Sequence, residues 1–271
     1  MEWNCFTKTS IGYSHVKNGK PCQDFSARYQ DVERCIITAC DGHGGSMYVR
    51  SQLGSKFASH AIMKVFSQLD GSMFRRYGDS EIAEKVKLNI LCEWNAMVEK
   101  SISEEPIRRK ETRHLSEQDE FQLKVNGAKA YGTTLNGAMV LGDKLVCASL
   151  GDGGLFIVKN GGVYPAFDDA DEEETVANIT HSMCQEDAFK HLKTGIFDVA
   201  EIDGVIACTD GLINPYANLE NFNRSLVEPV IKLAKEEKYE RIGEFVTRLG
   251  TQIGIGDDVS LGIILRRDSA E

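Results

Sequence analysis

Short apolar runs give way to helical spacing and then return, and that change of period divides the chain. Residues 3–9, 24–29 and 34–40 read as short strands separated by Gly, Asn and Asp turns. After Gly44-Gly45 the apolar positions Val49, Leu53, Phe57, Ile62, Val65, Phe66 and Leu69 recur at helical spacing, predicting a long amphipathic helix over 47–69. A second helix is predicted over 79–103, with Asp79 or Ser80 as its N-cap. Its apolar face is Ile82, Val86, Ile90, Leu91, Trp94 and Val98. Residues 104–124 are charged and weakly apolar, which suits a connector or a short helical insertion. Strands are predicted again at 133–140, 144–150 and 155–159, joined by turns at Gly142-Asp143 and Gly151-Asp152-Gly153-Gly154. A dense acidic loop occupies 168–175. Strands follow at 195–202 and 204–209, with Asp203-Gly204 as their hairpin turn. One or two helices in 225–249 and a closing strand over 259–266 complete the pattern.

Hairpins followed by paired long helices, rather than repeating βαβ units, indicate an α+β sandwich. The 104–124 stretch could be taken for a linker. A single domain over 1–271 is the expected organisation, because Asp41 would otherwise lack its acidic partners at 210 and 257. With 271 residues, 42% hydrophobic and 27% charged, the composition is that of an ordinary globular protein with a substantial core. The net charge of −10 argues against a nucleic-acid partner, since phosphate contacts need a basic face. It suits a protein that holds divalent cations or meets basic partners, although a solvated acidic surface is the commoner meaning. No pair among the eight cysteines has C-x-x-C spacing. Cys35, Cys40, Cys147 and Cys208 sit inside apolar runs and are expected to be reduced core residues. No basic region followed by an apolar stretch opens the sequence, and no run reaches bilayer length, so a cytoplasmic protein without a membrane partner is expected.

Candidate chemistry lies where strands stop. The run Ile36-Ile37-Thr38-Ala39-Cys40 ends on Asp41-Gly42, and Val205-Ile206-Ala207-Cys208-Thr209 ends on Asp210-Gly211. A third acidic pair, Asp257-Asp258, precedes the apolar run 259–265. A buried strand ending on a carboxylate places an anionic oxygen at the rim of a sheet, and such rims about 170 residues apart suggest a shared cation. Carboxylate, carbonyl and water ligands suit magnesium and manganese. A glycine after the aspartate lets the backbone approach an ion and offer its own carbonyl. Either Asp-Gly alone is more often a turn. Three together point to a hard-metal site.

Asp41-Gly42-His43-Gly44-Gly45 resembles the DGHGG signature of the metal-dependent protein phosphatases, the PPM or type 2C serine/threonine family. The family's other motifs follow in order. Gln23-Asp24 stands at its first acidic pair, Gly132-Thr133-Thr134 at its G-T-T strand, and Ser149-Leu150-Gly151-Asp152 at its GDSR turn. Ala177-Asn178-Ile179-Thr180 resembles a stretch of the bacterial branch. Thr209-Asp210-Gly211-Leu212 and Asp257-Asp258-Val259-Ser260 match the last two motifs. The resemblance implies a four-layer αββα sandwich of two mainly antiparallel sheets flanked by helices. It implies an enzyme that hydrolyses phosphoserine and phosphothreonine in proteins by direct attack of a metal-bridging water, with two Mn²⁺ or Mg²⁺ ions. Carried over by position, Asp41 bridges the ions, Gly42 ligates through its carbonyl, and Asp210 and Asp257 complete the site. Asp24 holds a water at its edge, and His43 is the general acid, an imidazole suited to proton transfer at neutral pH.

Departures from the family pattern fall around the phosphate. The usual arginine before the first acidic pair is absent, and the local sequence His15-Val16-Lys17-Asn18-Gly19-Lys20-Pro21-Cys22-Gln23-Asp24 resembles a bacterial subgroup with a P-C-Q-D first motif. His15 or Lys20 is the candidate substitute; the alternatives are a structural hydrogen-bonding histidine and a solvated lysine. Asp152 with Asp210 suggests a third metal, weakened because Asn214 replaces an acidic residue four positions after Asp210. Residues 165–195 correspond to the family's flap, whose acidic residues either favour basic phosphopeptides or are simply solvated. Two rival functions are a catalytically weak binding or regulatory member of the fold and a phosphatase of small phosphomonoesters.

Overall fold

Most of the predicted strands are covered on both faces, which is why they read as continuous apolar runs. The computed structural model describes residues 3–167 and 180–267. In chain order the elements begin with strand β1 (Trp3–Ser10), helix α1 (Tyr13–Lys17), β2 (Phe25–Gln30) and β3 (Arg34–Cys40). Helices α2 (Ser51–Ser67), α3 (Gly71–Arg76), α4 (Asp79–Glu104), α5 (Arg109–Thr112) and α6 (Glu117–Val125) follow. Then come β4 (Leu135–Leu141), β5 (Lys144–Leu150), β6 (Gly154–Lys159), β7 (Gly162–Pro165), α7 (Ala188–His191), β8 (Lys193–Asp198) and β9 (Gly204–Cys208). Helices α8 (Asp210–Ile213), α9 (Leu219–Phe222), α10 (Glu228–Lys235) and α11 (Tyr239–Arg248) lead to β10 (Val259–Arg266).

Two antiparallel five-stranded sheets result, ordered β1-β10-β9-β6-β7 and β2-β3-β4-β5-β8. They pack face to face over Cys5, Ile37, Ala39, Ala138, Val140, Leu145, Cys147, Val205, Ala207 and Ile264. The outer face of the second sheet is covered by α2 and α4 through Ile62, Val65, Phe66, Val86, Ile90 and Trp94. Helices α10 and α11 cover the outer face of the first through Val230, Ala234, Ile242 and Val246. This is the expected αββα order of layers. The four cysteines expected in the core are buried there. Among the described residues, no helix is long and apolar enough to cross a membrane.

Local chemistry explains where the helices start. Arg50 sends its backbone N–H to Ala130 O (2.8 Å) instead of into a helical turn, so α2 begins at Ser51 and not at 47. Gly78 is the N-cap of α4, one position before the expected Asp79, and Asp79 and Glu81 in the first turn meet the positive end of the helix dipole. At Gly54 a Cβ would fall 2.0 Å from Tyr131 O, so only glycine lets α2 lie this close to the segment before β4.

One connection differs from the sequence expectation. Asp203-Gly204 is not a hairpin turn: β8 pairs with β5 in one sheet, while β9 lies between β10 and β6 in the other. The dipeptide ends a crossover between sheets, anchored where Asp203 N donates to Val158 O and Arg266 N donates to Asp203 O. The acidic residues 168–174, and 177–179 of the bacterial-branch motif, lie outside the described residues.

Candidate metal centre

Asp41 stands one residue past the last residue of β3, and its backbone is clamped from β4's approach. Thr134 N and Thr133 Oγ1 both donate to Asp41 O (2.8 and 2.7 Å), and Asp41 N donates to Thr134 Oγ1 (3.0 Å). Gly42 then pairs with Thr133 as an isolated bridge, and its N–H donates to Gln23 O (3.1 Å). A Cβ at Gly42 would lie 2.6 Å from Ser51 O and 2.7 Å from Gln23 O, so no larger residue fits. On the other sheet, β9 ends at Cys208, and Thr209 leads into α8 with Asp210 at its first position.

These strand ends converge. Carboxylate oxygens of Asp41, Asp152 and Asp210 all lie within 4.8 Å of one another, with Asp152 delivered by the turn between β5 and β6. Asp24 lies behind them, 6% exposed; its Oδ2 accepts from Thr209 Oγ1 (2.7 Å), while its buried Oδ1 has no hydrogen-bond partner. Burial, and then the neighbouring Asp41 charge, push Asp24 well above the ordinary carboxylate range. Burial and the Asp210 charge raise Asp41 to about 8; burial with Asp152 and Asp257 raises Asp210 to about 6. A cluster that resists ionisation by itself is one that a cation would relieve.

The donor set therefore fits a hard divalent cation: oxygen only, anionic, and including one buried oxygen without a donor. Asp257 is half-exposed, and its charge acts on both Asp41 and Asp210. Asp152 Oδ2 accepts from Thr180 Oγ1 (2.5 Å), and Asp210 Oδ2 accepts from Asn214 Nδ2 (2.9 Å). Asn214 thus occupies one oxygen of Asp210.

His43 lies on the same rim. Its N–H donates to Gly132 O (3.1 Å), its carbonyl accepts from Gln23 Nε2 (3.2 Å), and its ring rests against Tyr48 with centroids 4.9 Å apart. Burial lowers its pKa, and the Asp152 charge works in the opposite direction. A Cβ on Gly132 would approach both rings, 2.4 Å from Tyr48 Cδ1 and 2.9 Å from His43 Cδ2. Gln23 Nε2 also donates to Ser51 Oγ (2.6 Å), so this side chain braces the loop instead of pointing at the carboxylates.

Two candidates for the phosphate are placed differently. His15 is buried, with Nδ1 2.8 Å from Asp258 Oδ2 and Nε2 3.8 Å from Asp257 Oδ1; Lys20 is exposed. Two residues of the sequence motifs, given no role of their own above, support the site. Asp258, 3% exposed, accepts from Gly12 N (2.7 Å) and Gln23 N (2.6 Å) and ties β1's exit and the Gln23-Asp24 segment to the start of β10. Thr209 orients Asp24 while accepting from Ser260 N (2.9 Å). A cleft of about 660 Å³ opens beside Asp152, lined in part by Thr180, His181, His191 and Asn214.

Known proteins share this fold. The family described as protein phosphatase 2C matches residues 11–247. No curated protein matches the sequence. Among solved structures, the chain is similar to the S. agalactiae serine/threonine phosphatase at 19% identity, covering 98% of this chain and 100% of that one, with a TM-score of 0.62. It is similar to the Mycobacterium tuberculosis serine/threonine phosphatase PstP/Ppp at 14% identity, 99% and 100% coverage, and a TM-score of 0.59. The catalytic domain of PstP in complex with two manganese ions gives 14% identity, 98% and 99% coverage, and a TM-score of 0.58. At these identities the structural likenesses establish the fold.

Proposed function

The chain belongs to the protein phosphatase 2C family and has the serine/threonine phosphatase fold, and from that premise we propose that it hydrolyses phosphoserine and phosphothreonine in proteins with Mn²⁺ or Mg²⁺. The observation that supports this most is the convergence of Asp41, Asp152 and Asp210 from three separate strand ends, backed by the unpartnered buried oxygen of Asp24. The P-C-Q-D first motif fits a bacterial-type member.

Asp41, Asp210 and Asp257, with the Gly42 carbonyl, would hold two ions. Asp24 would serve the edge of that site, and Asp152 with Asp210 a weaker third one. Ions bound there would supply positive charge to the phosphoryl oxygens and lower the pKa of the attacking water. His43 sits at the mouth of the same rim. Its role is to donate a proton to the serine or threonine oxygen as the P–O bond breaks, while the incoming water oxygen forms the new P–O bond. Burial of His43 disfavours its charged form, so the proton it holds is readily given up. Gly132, Gln23 and Tyr48 fix where that ring and its backbone stand.

The test is hydrolysis of p-nitrophenyl phosphate and of a phosphothreonine peptide, each with Mn²⁺ or with EDTA. Mn²⁺-dependent turnover of both is expected. No metal-dependent turnover of either would remove the enzyme reading; turnover of the small ester alone would favour a small-molecule phosphatase.

A further inference from the structure

Arg50 stands just outside the site, and the chemistry above gives it no part. It is nevertheless a charged side chain only 4% exposed, with all five of its side-chain N–H donors in use. Nε donates to Glu111 Oε1 (2.8 Å), and Nη2 donates to Glu111 Oε2 (3.2 Å) and Pro106 O (3.2 Å). Nη1 donates to Glu105 O (2.7 Å) and to the Tyr131 hydroxyl (2.7 Å). The charged 104–124 stretch is therefore fastened to the start of α2 by one buried guanidinium. His114 adds a second tie, with Nε2 3.1 Å from Ser46 O in the loop after Gly45.

What Arg50 joins leads to His43 from two sides. Tyr131 is followed by Gly132, whose carbonyl accepts from His43 N (3.1 Å). Arg50 itself is followed by Ser51, whose Oγ accepts from Gln23 Nε2 (2.6 Å), and the same nitrogen donates to His43 O (3.2 Å). The N–H and the carbonyl of His43 are thus each reached from Arg50 through two intervening residues. Asp41 is held differently. Thr133 Oγ1, Thr134 N and Thr134 Oγ1 bind its backbone directly, and β3 pairs with β4 up to Ala39 and Asn136. The sheet fixes the aspartate, whereas His43, past the isolated bridge at Gly42, depends on the frame that Arg50 ties together.

We propose that Arg50 is a positioning residue: through Tyr131 and Ser51 it sets where His43 stands for proton donation to the leaving oxygen. The proposal rests on the role given to His43 above. A displacement of about 1 Å in a reacting group can cost about a hundredfold in rate. A proton donor matters most when the leaving oxygen is basic. Loosening the Arg50 frame should therefore slow esters of basic oxygens and spare those whose oxygen departs without a proton.

The test compares two small esters that differ in the leaving group, phenyl phosphate and p-nitrophenyl phosphate, with the full chain and Mn²⁺. Arg50→Lys keeps the charge but cannot make the five bonds, and Tyr131→Phe removes one hydroxyl from the frame. Each should lower kcat for phenyl phosphate on the order of tenfold while p-nitrophenyl phosphate stays within about twofold. His43→Ala should show the same split, and adding Tyr131→Phe to it should cost nothing further, because both changes remove one function. Should Arg50→Lys fail to fold, Tyr131→Phe decides alone; melting curves in EDTA establish that each variant assayed is folded. Equal losses on both esters, no loss on either, or a Tyr131→Phe loss that adds fully to that of His43→Ala would overturn the positioning role alone. A wild type whose phenyl phosphate turnover survives His43→Ala overturns the role of His43, and this inference with it. Absence of metal-dependent turnover of either ester overturns the phosphatase reading itself.

Discussion

Replacing Asp258 with asparagine should damage the fold, whereas the same change at Asp257 should spare it. Asp258 is 3% exposed and receives two backbone N–H groups, from Gly12 at 2.7 Å and Gln23 at 2.6 Å, one on each oxygen. An asparagine keeps one acceptor and turns an NH₂ toward the other donor. A hydrogen bond to a charged group contributes about 1.5–3 kcal/mol, and a buried donor left unsatisfied costs about 1–3 kcal/mol more. His15, 2.8 Å from the same carboxylate, also loses its charged neighbour. The expected loss is about 3–5 kcal/mol. For a chain of 271 residues about 2 °C of melting temperature corresponds to each kcal/mol, so a fall of about 6–10 °C follows. Asp257 is half-exposed, and its Oδ1 accepts from Asp258 N (2.9 Å), a bond the asparagine oxygen can keep. Its variant should melt within about 2 °C of wild type. Circular-dichroism melts in EDTA measure both without interference from bound metal. A D258N protein that melts like wild type, or a D257N protein that loses as much, would refute the division of labour between these adjacent aspartates.

Further outcomes follow from the same site. In EDTA the protein should lose stability as pH rises from 6.5 to 8: Asp41 is raised to about 8 when folded against about 3.9 unfolded, so the folded state binds more protons in that window. The stabilisation by Mn²⁺ should correspondingly grow with pH, because ion binding displaces those protons; differential scanning fluorimetry showing a flat or rising melting temperature in EDTA would contradict this. His43, lowered by burial, works in the opposite sense as pH falls below 6.5, which is why the window starts there. Asn214→Asp should strengthen the weaker cation site by adding a carboxylate next to Asp210, lowering the Mn²⁺ concentration for half-maximal activity severalfold; an unchanged requirement would argue against a site there.

What the sequence made legible follows from how local the signals were. Strand ends on Asp41 and Asp210 could be read because a buried run, a carboxylate and a glycine are adjacent in sequence. Helices α2 and α4 could be read from their spacing of apolar residues; α4 starts at Asp79 as expected with its N-cap one residue earlier, while α2 starts four positions later than expected because Arg50 N is drawn to Ala130 O. The pairing of β8 and β9 could not: Asp203-Gly204 is a hairpin signal locally, and only the choice of partner strands makes it a crossover. Asn160-Gly161, by contrast, was a usable signal for the β6–β7 hairpin, with both residues at positive φ (52° and 71°) as a tight primed turn requires. Asp257 and Asp258 are indistinguishable as neighbours in sequence; contacts with Gly12 and Gln23, more than 230 residues away, separate their roles. The support of Asp24 by Thr209, 185 residues away, arises in the same way, from tertiary contact.

The central claim is that Asp41 and Asp210, brought from two sheets, hold divalent cations together. Mn²⁺ titration followed by electron paramagnetic resonance tests it without relying on turnover. Two tightly bound ions are expected in the wild-type protein, and loss of tight binding in Asp41→Asn and Asp210→Asn proteins that melt no lower than wild type in EDTA. Undiminished binding of Mn²⁺ by either variant would contradict it.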